Sequence, residues 1–238
     1  MNSKYEYIYN LILDKIRNGF FKEGDTLPSE YTLMKEYNAS RDTIRKSLQL
    51  LSNNGYIQKS KGKGSIIINS DIYNFEFNGI YSFKEVASKI YGKKVETIVH
   101  KCEYKKADNF IKKVLKLNDD NDMIWYIERV RNIDNEKIIL DIDFINSYII
   151  KTLDEKIVSN SLYEYIENEL NLKISYAERN IFCTFPTDYE RSLLDINNYN
   201  MLITVESKTF LSDTRLFQYT LSNHRPDKFR FKDFARRR

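Results

Sequence analysis

Glycine and proline are scarce, seven and three residues in a chain of 238, about 4% together against an average near 12%. That scarcity, with aromatic side chains at 14%, excludes a low-complexity or disordered chain. Cysteine is confined to Cys102 and Cys183. Neither has a second Cys or a His at ligand spacing, so a zinc site or disulfide framework is excluded, and both read as small buried hydrophobes with inert thiols. No apolar run approaches the roughly 20 residues that cross a bilayer. Met1 to Asn10 lacks the basic start and apolar stretch of a signal peptide, so a cytoplasmic location without a membrane partner is expected. His100 and His224 are the only histidines. They are distant in sequence and accompanied by no Ser, His and Asp pattern and no glycine-rich phosphate loop. An enzyme is therefore the fallback reading, no cofactor is expected, and His100 reads as a structural histidine.

The chain does have length and a lopsided charge. At roughly 100 to 200 residues per domain, two domains are expected. Net charge is +4, and all of the excess is N-terminal. Through Ser70 there are 11 Lys and Arg against 7 Asp and Glu, and beyond it 27 against 27. A basic small segment joined to a neutral larger one is the footprint of a chain in which one domain meets a polyanion.

Within the first seventy residues, Tyr5, Ile8, Tyr9, Ile12 and Ile16 recur at helical spacing and Gly19 stands where a C-terminal cap belongs. A turn-like stretch at Gly24 to Pro28 precedes Ser29, which can cap a second short helix carrying Leu33, Met34 and Tyr37. Ser40 caps a third helix that runs to Asn54 and stops at Gly55. Tyr56 to Ser60 and Ser65 to Ile68 then read as strands around the basic tip Lys61, Gly62, Lys63, Gly64. Three helices and a hairpin make a winged helix-turn-helix.

The third helix can be phased at 100 degrees per residue from Arg41. Ile44, Leu48 and Leu51 fall at about 300, 340 and 280 degrees, one narrow apolar seam. Arg41, Asp42, Arg45, Lys46 and Gln49 fall on the opposite arc, between about 0 and 140 degrees. Such a face fits the major groove of duplex DNA, where Arg bonds guanine at two points and Gln reads adenine. Ser29 with the amides that start the second helix, Thr43, and Lys59, Lys61 and Lys63 in the wing suit phosphates. Gly62 and Gly64 let the wing backbone come close to a minor groove.

The run LPSEYTLMKEYNASRDTIRKSLQLLSNNGYIQKSKGKGSIII resembles the DNA-binding domain of GntR-type bacterial transcription factors. It has the proline-serine-glutamate start that includes Ser29 and Glu30, the Ser-Arg-x-Thr-x-Arg recognition helix from Ser40, and the Gly-x-Gly wing. The resemblance implies a homodimer on a pseudo-palindromic operator, with Arg41, Thr43, Arg45 and the wing glycines at double-stranded DNA.

Asp71 to Gly79 reads as the connection, dividing a domain of residues 1–70 from one of residues 80–238. Ser82 begins a short helix with Phe83, Val86, Ala87 and Ile90 on one side. Strand-like runs follow at Val95 to Tyr104, Ile124 to Ile133, Lys137 to Phe144, Lys173 to Phe185, Leu202 to Leu211, Arg215 to Asn223 and Phe229 to Phe234. Helical patterns occur at Phe110 to Leu117, Ser161 to Leu170 and Asp188 to Leu194. Turns at Asp134 to Glu136 and Ser212 to Thr214 favour an antiparallel sheet, so the class is α+β.

Arg129 and Arg131 are two apart on a strand, hence on one face with Trp125 and Ile127, an unusual side for two charges unless an anion meets them. Ser161 caps a helix with Tyr163 in its first turn, and Ser82 opens another whose amides at Phe83 and Lys84 are free donors. Two helix starts and an arginine pair can wrap one phosphate. Cross-strand ion pairs with Asp141 or Asp143 beside two routine caps are the alternative reading. If Arg129 and Asp141 line one pocket, paired residue numbers must sum to an even value, as a three-residue loop at Asp134 to Glu136 gives; a two-residue loop puts them on opposite faces.

From Ser82 onward, SFKEVASKIYGKKVETIVHK, IERVRNIDNEKIILDIDFI, SLYEYIENELNLKISYAERNI and RLFQYTLSNHRPDKFRFKDFARR resemble the effector-binding UTRA domain of the HutC branch of the same family, a chorismate-lyase-like fold. The resemblance implies a repressor of a trehalose-utilisation operon, released from its operator by trehalose 6-phosphate, with another sugar phosphate or a small carboxylate as the alternative effector. It places the phosphate on Arg129, Arg131, Ser161, Tyr163 and the Ser82, Phe83, Lys84 helix start, and sugar hydroxyls on Asp141, Gln218 and His224.

Overall fold

A computed structural model of the chain describes residues 3–60, 62–68, 83, 95–118, 122–229 and 231. The chain divides into two compact units, Met1–Asn78 together with Phe231–Arg238, and Gly79–Arg230. The expected connection at 71–79, Lys61, Ser82, Lys84 and the terminal Arg236, Arg237 and Arg238 lie outside the described residues.

In the smaller unit, α1 (Lys4–Arg17), α2 (Glu30–Glu36) and α3 (Arg41–Asn53) are followed by β1 (Ile57–Ser60) and β2 (Gly64–Ile67). Each boundary has a local cause. Ser29 accepts the Thr32 amide at 3.1 Å and Ser40 the Thr43 amide at 3.3 Å, which answers donors that a helix start leaves unpaired. Gly19 and Gly55, just past α1 and α3, carry φ of 73° and 78°, the left-handed conformation a helix end uses. The phased seam is the core of this unit: Ile44, Leu48 and Leu51 pack with Ile8, Ile12 and Ile16 of α1, and burying each such side chain stabilises by roughly 1.5–3 kcal/mol. Ser47 is a polar member of that interface, donating to the Tyr5 carbonyl at 2.8 Å and so fixing α3 against the start of α1.

The larger unit is built on a six-stranded sheet in which every neighbouring pair is antiparallel, in the order β3-β4-β5-β8-β7-β6. The strands are β3 (Val95–Lys106), β4 (Met123–Ile133), β5 (Glu136–Asn146), β6 (Ile174–Thr184), β7 (Leu202–Leu211) and β8 (Leu216–His224). Helices are α4 (Asn109–Leu115), α5 (Glu155–Ser159), α6 (Leu162–Glu164), continued as one π turn over Tyr165–Glu169, and α7 (Asp188–Leu193). One face packs Ile127, Ile145, Leu211 and Phe217 under α5 and α6 through Val158, Leu162 and Ile166. The other packs Ile124 under α4, and Val130, Leu140 and Leu202 against Leu194 and Ile196 beyond α7.

Three expectations are corrected. The run Phe229 to Phe234 is not a strand at its described positions: Pro226–Lys228 forms a 3-10 turn, and neither Phe229 nor Phe231 enters the sheet. Alternating Phe with polar and basic residues imitates strand periodicity in the sequence. Cys183 is exposed rather than buried, because β6 is the sheet edge, while Cys102 is partly covered and burial pushes its thiol up.

The third correction concerns register. Only Asp134 and Asn135 separate β4 from β5, since Ile133 pairs with Glu136, and both have positive φ, 53° and 63°. This is the tight hairpin turn that demands left-handed residues, which Asp and Asn tolerate. By itself the two-residue loop gives the odd register. A bulge at Ile138 restores parity: Asn132 pairs with Lys137 but Arg131 with Ile139 and Arg129 with Asp141. The extra residue flips every later side chain to the other face. Asp141 therefore shares a face with both arginines.

Candidate functional site

Two sets of polar side chains stand out, one in each unit. On α3, Arg41 and Arg45 are exposed, and Glu30 at the start of α2 reaches both, with Nε to carboxylate distances of 3.2 and 3.9 Å. Exposed pairs of this kind stabilise little, about 0–1 kcal/mol. Their effect is to hold two guanidinium groups side by side over one surface. Lys46 pairs with Asp42 one turn back at 2.9 Å. Gln49 donates to Asn53 at 2.8 Å and accepts from Lys59 at 3.2 Å, which ties the recognition face to the root of the wing. Thr43 shares a 2.8 Å hydrogen bond with Ser40. At the wing tip Gly62 and Gly64 have φ of 81° and 87°, and a Cβ on Gly64 would stand 3.2 Å from the Thr26 methyl. The wing thus needs glycine there for backbone sign and for room.

In the larger unit, cross-strand register sets the site. Neighbours on one face form rows across the sheet: Thr97, Arg131, Ile139 and His224 in one, Val99, Arg129, Asp141 and Ser222 in the next, Asp143 and Thr220 in the third, Ile145 and Gln218 in the fourth. Each arginine reaches diagonally. Arg129 Nη2 donates to Asp143 at 2.6 Å and Nη1 to the Val158 carbonyl at the end of α5 at 3.3 Å. Arg131 Nε donates to Asp141 at 2.8 Å and Nη1 to Thr97 at 2.7 Å, and its guanidinium lies 4.4 Å from the centre of the Phe83 ring.

The network extends through hydroxyls and amides. Tyr163, from the first turn capped by Ser161, donates to Gln218 at 3.0 Å. Gln218 and Thr220 both donate to the same Asp143 oxygen, at 2.8 and 2.7 Å. Ser222 donates to Asp141 at 2.5 Å and stands 3.0 Å from His224 Nε2. The cross-strand ion pairs of the alternative reading are thus present, both of them. Of the expected residues, Phe83, Arg129, Arg131, Asp141, Tyr163, Gln218 and His224 come together around these ion pairs, and Ser161 fixes the turn that carries Tyr163. Asp143, Thr220, Ser222 and Thr97 complete the cluster. The alternation of β8 carried a signal for two of these, since Thr220 and Ser222 lie between Gln218 and His224 at strand period.

The two arginines are paired with two carboxylates, Arg129 with Asp143 and Arg131 with Asp141, and the four charges act on one another. Burial and the neighbouring Arg129 pull the Arg131 guanidinium down to about 10, against Asp141. Burial pushes Asp141 up, but Arg131 and Arg129 outweigh it and hold the carboxyl below its ordinary range. The Nε–H of Arg129 is buried with no partner among the described residues, a donor that would be costly to leave unmet. Ser222, His224 and Asp141 bring a Ser, a His and an Asp together, but Ser222 lies between the other two and bonds the carboxylate. What the cluster offers is a set of buried and half-buried donors and acceptors, from guanidinium, carboxylate, hydroxyl, amide and imidazole groups, on one sheet face.

His224 is neutral, brought down to about 4 by burial against the opposing pull of Asp141. Its folded value lies below the ordinary 6.5, so the unfolded chain binds the extra proton. Stability from this group is present above about pH 6.5 and is lost as pH falls toward 4, on the order of 3 kcal/mol in full. His224→Asn should flatten the denaturation midpoint between pH 6.5 and 4 relative to the parent chain; an unchanged slope in urea titrations contradicts the buried neutral state.

Each of the two units matches a known family. Residues 4–67 match the gntR family of bacterial regulatory proteins, and residues 91–230 match the UTRA domain. The HTH-type transcriptional regulator TreR of Bacillus subtilis is 46% identical over 235 residues, 99% of this chain and 98% of its own. The solved effector-binding domain of the B. subtilis trehalose repressor is 47% identical, with a TM-score of 0.54 over 60% of this chain and 98% of that one. The crystal structure of possible transcriptional regulator YydK from the same species covers 99% of this chain and all of its own with a TM-score of 0.81, a likeness of fold at 24% identity. The chain belongs to the GntR family of bacterial DNA-binding transcription regulators and carries the UTRA effector-binding domain as its second unit.

Proposed function

We propose that this chain is a homodimeric repressor of a trehalose-utilisation operon, released from its operator by trehalose 6-phosphate. One observation carries the effector half: residues from β4, β5, β8, α6 and Phe83 converge on one buried network whose arginine pair retains an unmet donor. In this reading Arg129, Arg131, Ser161, Tyr163 and Phe83, with Ser82 and Lys84, bind the phosphate, and Asp141, Gln218 and His224 read sugar hydroxyls. The similarity to the trehalose repressor of B. subtilis supports the choice of sugar. A ligand saturating the folded chain at 100 times its Kd stabilises it by about 2.7 kcal/mol. Trehalose 6-phosphate is therefore expected to raise the Tm where trehalose and inorganic phosphate do not. A rise with a small carboxylate, and none with any sugar phosphate, contradicts the assignment.

For the DNA half, Arg41, Arg45, Lys46 and Gln49 face bases in the major groove. Ser29, Ser40, Thr43, Lys59, Lys61 and Lys63 sit at phosphates, Glu30 holds the arginines, and Gly62 and Gly64 bring the wing close. Two such faces in a dimer meet half-sites one helical turn or a multiple apart. Lys63→Ala is expected to weaken operator and random duplex alike and to lower the slope of log affinity against log salt by about 1. A loss confined to the operator would mean that Lys63 reads sequence instead.

The effector must bind the DNA-free arrangement more tightly than the DNA-bound one. Coupling of about 1–3 kcal/mol, roughly 5- to 150-fold in operator affinity, is typical.

A further inference from the structure

The polar face does not stop at the arginine and aspartate pairs. The third row continues across the sheet without a break in register: Asp143 pairs with Thr220, Thr220 with Ser207, and Ser207 with Arg179 on the edge strand β6. Directly cross-strand residues share a face, so four hydrogen-bonding side chains stand in one line. Three strand steps of about 4.8 Å separate the ends of that line, about 14 Å in all.

Accessibility changes along it. Asp143 and Gln218 are buried, whereas Thr220, Ser207 and Arg179 are only partly so. The phosphate end is thus closed and the far end open. Tyr163 stands between them: its hydroxyl bonds Gln218 on β8 and meets Thr209 on β7, with Arg129 and Arg179 both close enough to act on it electrostatically. Register places Arg179 opposite Ser207 on this face, and burial holds its guanidinium below its ordinary range, partly offset by Tyr163. A guanidinium at the sheet edge, with the Ser207 hydroxyl as its direct cross-strand neighbour and Thr209 one row along, is suited to binding sugar hydroxyls or a ring oxygen.

We propose that Arg179, Ser207 and Thr220 form a second subsite that takes the sugar ring remote from the phosphate and so selects a disaccharide phosphate over a monosaccharide phosphate. The inference rests on the sugar-phosphate reading above and adds to it the residues that set ligand length. A ligand ending at one hexose stays within the arginine, aspartate and Gln218 region. A second ring extends along the row past Tyr163 to the edge strand.

The test is calorimetric titration of the full chain and of Arg179→Met with trehalose 6-phosphate and glucose 6-phosphate. A hydrogen bond from a charged donor corresponds to roughly 10- to 150-fold in affinity. The variant is expected to lose at least tenfold for the disaccharide ester and to bind glucose 6-phosphate as the parent does. Equal losses for both esters, or no loss for the disaccharide ester, overturn the subsite while leaving the phosphate site standing. A parent chain that binds neither ester overturns both readings. Where Arg179→Met does not fold, as judged by its thermal transition, Arg179→Lys keeps charge and stem but not the fork, and the same selective loss is expected at smaller size.

Discussion

Arg129→Ala is expected to destabilise the larger unit by about 3–5 kcal/mol and to abolish release from the operator by trehalose 6-phosphate. The first effect follows from what the substitution leaves behind. Arg129 is 6% exposed and its partner Asp143 is fully buried, so truncation strands a carboxylate away from water. Gln218 and Thr220 still donate to that carboxylate, which keeps the cost within the range rather than above it. The second effect follows from the lost phosphate donor. Adding Asp143→Asn to the same chain removes the stranded charge and is expected to recover a good part of the stability without recovering the response. Urea denaturation and operator release, measured on the single and double variants, separate the two. A single variant as stable as its parent contradicts the buried pair, and a double variant that still responds removes Arg129 from the effector site.

Arg45→Ala is expected to lower operator affinity by about 1–3 kcal/mol, roughly 5- to 150-fold, and to relax preference at one base pair of each half-site. Folding stability should hardly change, because Arg45 is exposed and its approach to Glu30 is long, 3.9 Å. Arg41 lies closer to Glu30 at 3.2 Å, so Glu30→Gln should weaken operator binding less than either arginine change while loosening both. A competition assay against single-base operator variants reads the effect of Arg45→Ala directly. Equal loss on every sequence would assign Arg45 to the phosphate backbone.

These two variants fall on parts of the molecule that were legible in the sequence for different reasons. In the smaller unit, helical period, serine caps and terminal glycines agree with one another, so the seam of Ile44, Leu48 and Leu51 could be phased before any coordinates. Strand alternation likewise put Arg129 and Arg131 on one face. Their neighbour Asp141 shares that face through two departures from the expected hairpin that cancel. A bulge at Ile138 and a two-residue turn compensate one another, and a bulge leaves no mark in a run of β-branched and leucine residues. The short α5 leaves no periodic signal, because five residues do not complete a pattern, although Asp154 caps it. The alignment of Arg179 with Asp143 was not legible, since it comes from a row of registers spanning four strands, which no single segment contains.

The most direct test is operator affinity at one fixed salt concentration, with and without saturating trehalose 6-phosphate. The expected result is sequence-dependent binding that weakens roughly 5- to 150-fold on adding the ester and is unmoved by trehalose or inorganic phosphate. No preference for operator over random duplex, or the same operator affinity whether or not the ester is present, contradicts the account.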